Sequence, residues 1–300
     1  MPRHISRRLP VSTQSKRRLA DSQNFLTDHA LTAELTTLAE CSRGGLIVEI
    51  GPGRGILTEK LSAQTSRVLA VEADPRFTKK LIKRFADNPR VTIAHGDFLE
   101  YPLPAEAFTV VANIPFNRTS EIIRKLTGEK SGMKAAYLVL QAEAADKLCP
   151  TPGRPAQLSA LFLQLGFTVR ELKRINRRCF TPRPGVDAVY ISIKRRGVPL
   201  LAGDDDELFR DLLSFLYPRG PGIREALGRV FSAVQLRLIL SDLELQGNRR
   251  IGDLSLAQWL EVYDVFSHQA RQEALRKVKG AYRKLQKEQA GLEKRHRRPR

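Results

Sequence analysis

Three hundred residues, 42% of them hydrophobic, suffice for one substantial domain and a smaller companion, and no run approaches the roughly 18 consecutive apolar residues of a membrane span. Fifty-one Lys and Arg against 32 Asp and Glu leave a formal charge of +19, which argues for a polyanionic partner, nucleic acid first. Cys41, Cys149 and Cys179 are far apart, with no C-x-x-C pair and no histidine at ligand spacing, so reduced thiols and no structural metal are expected.

The chain opens on a basic tail, residues 1–20, with six Lys and Arg and no acid. It lacks the apolar core of a secretory signal; organellar leaders share its composition, and a cytoplasmic protein is the expectation adopted. Asp28 to Cys41 then reads as a helix capped by Asp28, with Leu31, Leu35 and Leu38 on one stripe. Leu46–Ile50 is a short apolar strand, followed by a glycine-rich loop, Gly51 to Gly55, and a helix through Leu61. Strands at Val68–Glu72, Val91–Ala94, Phe108–Ala112 and Ala135–Leu140 alternate with helices at Pro75–Phe85 and Ser120–Leu126. Continuously apolar five-residue strands alternating with helices predict a doubly wound α/β domain whose parallel strands are buried on both faces. Phe167–Leu172 and Ala188–Ile193 read as two later strands that close this domain, 21–196, with an antiparallel edge.

Beyond Arg196 the pattern is helical, and a small all-α domain for RNA binding is expected at 197–268. From Gln269 to Arg300 a basic helix or tail follows, with Leu275, Val278, Tyr282 and Leu285 on one stripe and Lys or Arg over much of the rest. Residues 271–300 carry +9 and residues 1–20 carry +6, so the two ends hold +15 of the +19. Contacts to RNA phosphates, raising affinity without choosing sequence, are the hypothesis for both ends; a solvated helical end is the plain alternative.

Four features carry chemistry. Gly51-x-Gly53-x-Gly55 after the first strand lets backbone approach a ligand, and Ile56, where a dinucleotide fingerprint needs glycine, favours a smaller adenosyl group. Glu72 ends the second strand, where a carboxylate can take both hydroxyls of a ribose. Asp97 follows the third, placed to accept from an adenine amino group. Acids after strands also cap helices, but three ligand-type groups in register at successive strand ends outweigh that reading. Asn113-Ile114-Pro115-Phe116 follows the fourth strand. An adenine amino nitrogen is a poor nucleophile because its lone pair is delocalised into the ring. The Asn113 carbonyl oxygen and a backbone carbonyl near Pro115 can accept its two N–H bonds while Phe116 stacks on the base. The bland reading of the same run is a proline-stiffened turn.

Together with Ser22-Gln23-Asn24-Phe25-Leu26 and Phe180-x-Pro182-x-Pro184-x-Val186, these motifs resemble the ribosomal RNA adenine N6-methyltransferases, the Erm and KsgA-type enzymes, over about residues 21–195. The resemblance implies a Rossmann-like class I methyltransferase domain, S-adenosylmethionine as cofactor, ribosomal RNA as partner, and no metal. It implies that Gln23, Asn24, Leu26, Glu49, Gly51, Gly53, Glu72, Ala73, Asp97, Phe98 and Asn113 form the cofactor side of the site. Asn113, Ile114, Pro115 and Phe116 would then hold the target adenine, with Phe180 closing over it from the other side. Many members carry Tyr where Phe116 stands, so the balance between one and two methyl transfers is open.

Ser22 before Gln23, Asn113-Ile114 rather than Asn-Leu, and arginine-rich ends resemble Erm proteins of actinobacteria. The expectation is therefore a monomer that methylates an adenine in the peptidyl-transferase region of large-subunit ribosomal RNA, conferring macrolide, lincosamide and streptogramin B resistance. The alternatives are a KsgA-type enzyme acting on the small subunit and a non-catalytic nucleic-acid-binding relative of the mitochondrial transcription factor type.

Overall fold

The computed structural model describes residues 24–41, 44–64, 67–149, 155–218, 220–243 and 249–296. They fall into two compact units, 24–149 with 168–195, and 155–167 with 196–296.

The first unit is built on strands β2 (Leu46–Ile50), β3 (Arg67–Glu72), β4 (Val91–His95), β5 (Phe108–Asn113), β6 (Met133–Gln141), β7 (Phe167–Ile175) and β9 (Ala188–Arg195), in the order β4-β3-β2-β5-β6-β9-β7. β2 to β6 run parallel and β9 pairs antiparallel with β6. Every residue of β2 is buried, as are four of the six in β5, because helices cover both faces. Burying each such aliphatic side chain contributes roughly 1.5–3 kcal/mol, so the apolar strands hold the sheet together.

The helices are α1 (His29–Leu38), α2 (Ile56–Gln64), α3 (Pro75–Arg84), α4 (Thr119–Thr127) and α5 (Ala142–Leu148). As the sequence predicts, Asp28 starts α1: its carboxylate accepts from the backbone N–H of Ala30 and Leu31 at 2.9 and 3.0 Å. Asp74 does the same for α3 ahead of Pro75, a cap worth about 1 kcal/mol. Because β2 sits between β3 and β5, the winding reverses there, and a crevice opens at the carboxyl ends of these strands.

One element has no counterpart in the sequence pattern. β1 (Phe25–Leu26) and β8 (Phe180–Thr181) form a separate antiparallel ribbon, with Phe25 opposite Thr181 and Leu26 opposite Phe180. Two residues per strand are too few for a periodicity signal.

The second unit comprises α6 (Leu158–Gly166), α7 (Asp204–Leu216), α8 (Ile223–Leu227), α9 (Ala233–Asp242), α10 (Leu256–Gln269), α11 (Gln272–Val278) and α12 (Ala281–His296). Its core gathers Phe209, Trp259 and Phe266, all fully buried, and reciprocal Ser–Gln capping boxes start α9 and α10. The helical unit also takes in residues 155–167 and 269–296, which the expected boundaries place outside it. Leu161 and Leu165 of α6, and Ala274 and Val278 of α11, are buried in this same helical core. An apolar stripe shows that a helix will be covered and leaves open by which core.

Candidate active site

The crevice at the strand ends is a cavity open to solvent and lies wholly within the first unit. Asn24, Gly51, Gly53, Glu72, Ala73, Asp97, Phe98, Asn113, Ile114, Pro115 and Phe116, all singled out from the sequence, line it together. Asn24 aside, these residues sit at or just after the carboxyl ends of parallel strands, so strand register brings positions as far apart as Gly51 and Phe116 into one wall.

Glu72 is 2% exposed and held from two sides: Gly53 N–H donates to Oε2 at 2.9 Å and Asp74 N–H to Oε1 at 2.8 Å. Burial pushes its carboxyl above the ordinary range, against the pull of these N–H groups. The first contact requires the glycine loop. Gly53 has φ +54°, and a Cβ there would lie 2.6 Å from the Phe25 ring. Gly51, at φ +65°, borders space instead: a Cβ would meet nothing within 4 Å, leaving a cradle beside the backbone.

Asp97 is anchored by its neighbours. Leu99 N–H donates to Oδ1 at 3.0 Å and the Arg118 guanidinium to Oδ2 at 2.5 Å, while Arg118 Nε also reaches Glu121 at 3.2 Å. Lys125 of α4 donates to the carbonyls of Phe98 at 2.7 Å, Leu99 at 3.0 Å and Tyr101, clamping the loop that carries Asp97 and Phe98.

Asn113 closes β5. Its Nδ2 donates to the Asn24 carbonyl at 2.7 Å. A carbonyl only accepts, so this contact fixes which end of the amide faces Asn24. Oδ1 is left buried with no hydrogen-bond partner among the described residues. Such an atom costs roughly 1–3 kcal/mol unless something supplies a donor. Phe116 opens a 3-10 turn, Phe116–Arg118, and stands partly buried at the rim.

Three of the residues expected at the site are placed elsewhere, and a fourth is not described. Gln23 lies outside the described residues. Leu26, Glu49 and Phe180 do not line the cavity. Side chains alternate along a strand, so with Phe25 and Ile50 at the cavity, Leu26 and Glu49 point to the other side. Directly paired residues share a face, so Phe180, opposite Leu26, is buried with it at 3% exposure. Conversely, Leu99, Arg118 and Ile122 line the cavity without having been assigned to it, whereas Phe25, part of the Gln23-Asn24-Phe25 run, lines it as the resemblance implies. Arg118 lies two residues past the Phe116 motif, but its partner Asp97 is 21 positions away, so only the fold reveals their pairing.

Glu49 accepts from Thr58 Oγ1 at 2.6 Å, and burial, reinforced by the nearby Glu72 carboxylate, pushes its carboxyl up to about 8. A raised folded-state value means that its stabilising contribution is full below the ordinary carboxyl range and is lost as pH rises through about 8. Glu49→Gln, which retains an acceptor for Thr58, is therefore expected to match the parent near pH 4.5 and to be more stable above pH 8. The gain is on the order of a few kcal/mol. Parallel melting curves that keep their spacing from acid to alkaline pH would contradict this.

An adenosyl cofactor fits these residues: the Gly51 cradle admits a close ligand, Glu72 presents a carboxylate already fixed by backbone, and Asn113 Oδ1 awaits a donor. Fold and site define an S-adenosylmethionine-dependent methyltransferase. Residues 14–268 match the model of the ribosomal RNA adenine dimethylases, and the chain belongs to that family. It is 30% identical over 264 residues to the rRNA methyltransferase of Streptomyces thermotolerans, covering 87% of both chains. It is 34% identical over 204 residues to the ribosomal RNA small subunit methyltransferase A of Geobacter metallireducens, covering 65% of this chain and 74% of that one. The crystal structure of the 23S rRNA methyltransferase ErmE superposes with a TM-score of 0.75 at 27% identity, covering 82% of this chain and all of that chain. Among the described residues no helix is long and apolar enough to cross a membrane, and no group of three His, Cys, Asp or Glu is placed to hold a metal.

Proposed function

We propose that this adenine methyltransferase acts on N6 of an adenine in the peptidyl-transferase region of 23S ribosomal RNA, and that the modification confers macrolide, lincosamide and streptogramin B resistance. The observation that carries the N6 chemistry is the oriented, partnerless Asn113 Oδ1. Support for the large subunit comes from the likeness to the ErmE crystal structure over the whole of its chain.

S-adenosylmethionine supplies, when bound, an electrophilic methyl group on a sulfonium. Glu72 and Asp97 are assigned to the ribose hydroxyls and the adenine amino group of that cofactor, with Gly51 and Gly53 giving room along the loop. Asn113 Oδ1 accepts one N–H of the target amine. The Pro115 carbonyl is already taken by the Arg118 N–H at 3.0 Å, so the Ile114 carbonyl is assigned the second. Two acceptors on the two N–H bonds favour a pyramidal nitrogen and aim its lone pair, which is the nucleophile that the free base lacks. Phe116 offers its ring to the base. The assignment of Phe180 to the opposite face requires its ring to leave the core, and the N6 chemistry does not depend on it.

A second reading, dimethylation in the small subunit, is favoured by relatives named for that reaction, such as the Geobacter protein. Purified protein and labelled cofactor, offered naked 23S RNA and immature small subunits separately, distinguish the two. Mapping the adenine that gains mass by one or two methyls is expected to place it in 23S RNA; label in the small subunit alone overturns the target.

A further inference from the structure

The last two helices lie beyond the residues matched by the family model, and α12 begins against its own electrostatics. Arg283 and Lys284 stand in its first turn, which holds no acid, although cations are disfavoured where peptide N–H dipoles converge. Asp211 of α7, 3% exposed, offsets this: its oxygens accept from Gly280 N–H at 2.7 Å and Tyr282 N–H at 2.9 Å. The Tyr282 and Phe162 rings meet edge to face at 5.1 Å, and the Arg210 guanidinium lies over both, 5.0 Å from Phe162 and 5.5 Å from Tyr282. Val278, fully buried, secures the preceding helix.

The face left outside is cationic. Arg276, Lys279, Lys284 and Lys287 are exposed and make no ion pair among the described residues, whereas Glu273 neutralises Lys277 and Glu207 neutralises Arg283. A free tail would carry the same charge; a buried acid and an aromatic joint fix where that charge stands. We propose that α11 and α12 form a built cationic ridge that binds the phosphate backbone of the ribosomal RNA substrate. RNA is favoured over other polyanions because it is the substrate class of the family. The ridge adds affinity and register without reading bases.

The test uses the full chain carrying Lys279→Gln, Lys284→Gln and Lys287→Gln together, and separately Asp211→Asn, which keeps every ridge cation. Binding of a 23S and a 16S transcript is followed across a salt series. The triple variant is expected to flatten the log–log salt dependence by about two, since each phosphate no longer neutralised removes roughly 0.7 from the slope. Its KM for RNA should rise on the order of tenfold, with kcat at saturating RNA unchanged. Asp211→Asn is expected to weaken binding while its melting remains cooperative; if it does not fold, Tyr282→Ala loosens the same joint and replaces it. An unchanged slope in the triple variant overturns the proposal. So does parental affinity in a folded joint variant, because charge without position would then suffice. Neither readout depends on which ribosomal RNA is methylated, so the target assignment can fail independently.

Discussion

Asn113→Ala is expected to lower kcat by roughly two to three orders of magnitude, the loss typical of removing one preorganised polar group from the reacting centre. RNA affinity should stay within a few-fold, because the wall around the amide is made of other residues. Asn113→Asp separates the two jobs of this side chain. It keeps an acceptor but loses the donation to the Asn24 carbonyl, and a carboxylate facing that carbonyl is repelled. Turnover between alanine and parent is expected, measured as single-turnover transfer of labelled methyl at saturating RNA. Parental turnover in the alanine variant would remove Asn113 from the mechanism.

Gly53→Ala should produce the second large effect, through cofactor binding. Its Cβ would meet the Phe25 ring at 2.6 and 2.7 Å, and the φ of +54° is strained for any side chain. Phe25 cannot simply retreat. It packs against Phe77 at 5.2 Å and beneath the Arg54 guanidinium at 5.4 Å. Relief must come from the loop, which carries the N–H that holds Glu72. A stability loss of about 1–3 kcal/mol from the backbone is expected, with more than tenfold weaker S-adenosylhomocysteine binding by calorimetry. Phe25→Ala removes the clash and leaves the φ strain, so the double variant should lose less than the sum of the singles, by about 0.5–3 kcal/mol. Strict additivity would show that the ring is not what restricts the loop.

The parts of this architecture that could be read from sequence are those fixed by local pattern. β2 and β5 announce themselves because a strand buried on both faces is largely apolar, Glu49 of β2 excepted, and Glu72, Asp97 and Asn113 are conspicuous as polar groups at the ends of such strands. What escaped depends on pairing or on distant neighbours. The side on which Leu26 and Phe180 fall is set by a register of two residues per strand, and one step of register exchanges core for cavity. Glu49 sits one residue from a cavity-lining position, yet strand alternation sends it to Thr58. Lys125 looks like a basic residue on an amphipathic helix; only the fold shows that it holds three carbonyls of the loop after β4. Likewise Asp211 is one more acid in an acidic helix until Gly280 and Tyr282 meet it.

The β1–β8 ribbon has a consequence for biosynthesis. Asn24, whose carbonyl aligns the Asn113 amide, adjoins a strand whose only hydrogen-bonded neighbour in a sheet, among the described residues, is contributed by Phe180 and Thr181. A nascent chain that has left the ribosome through β6 already owns the parallel strands and the acids at their ends. It still lacks the partner that positions its own beginning. The contact that orients the Asn113 amide thus rests on residues separated from it by most of the domain, and it is completed only once Phe180 and Thr181 have been made.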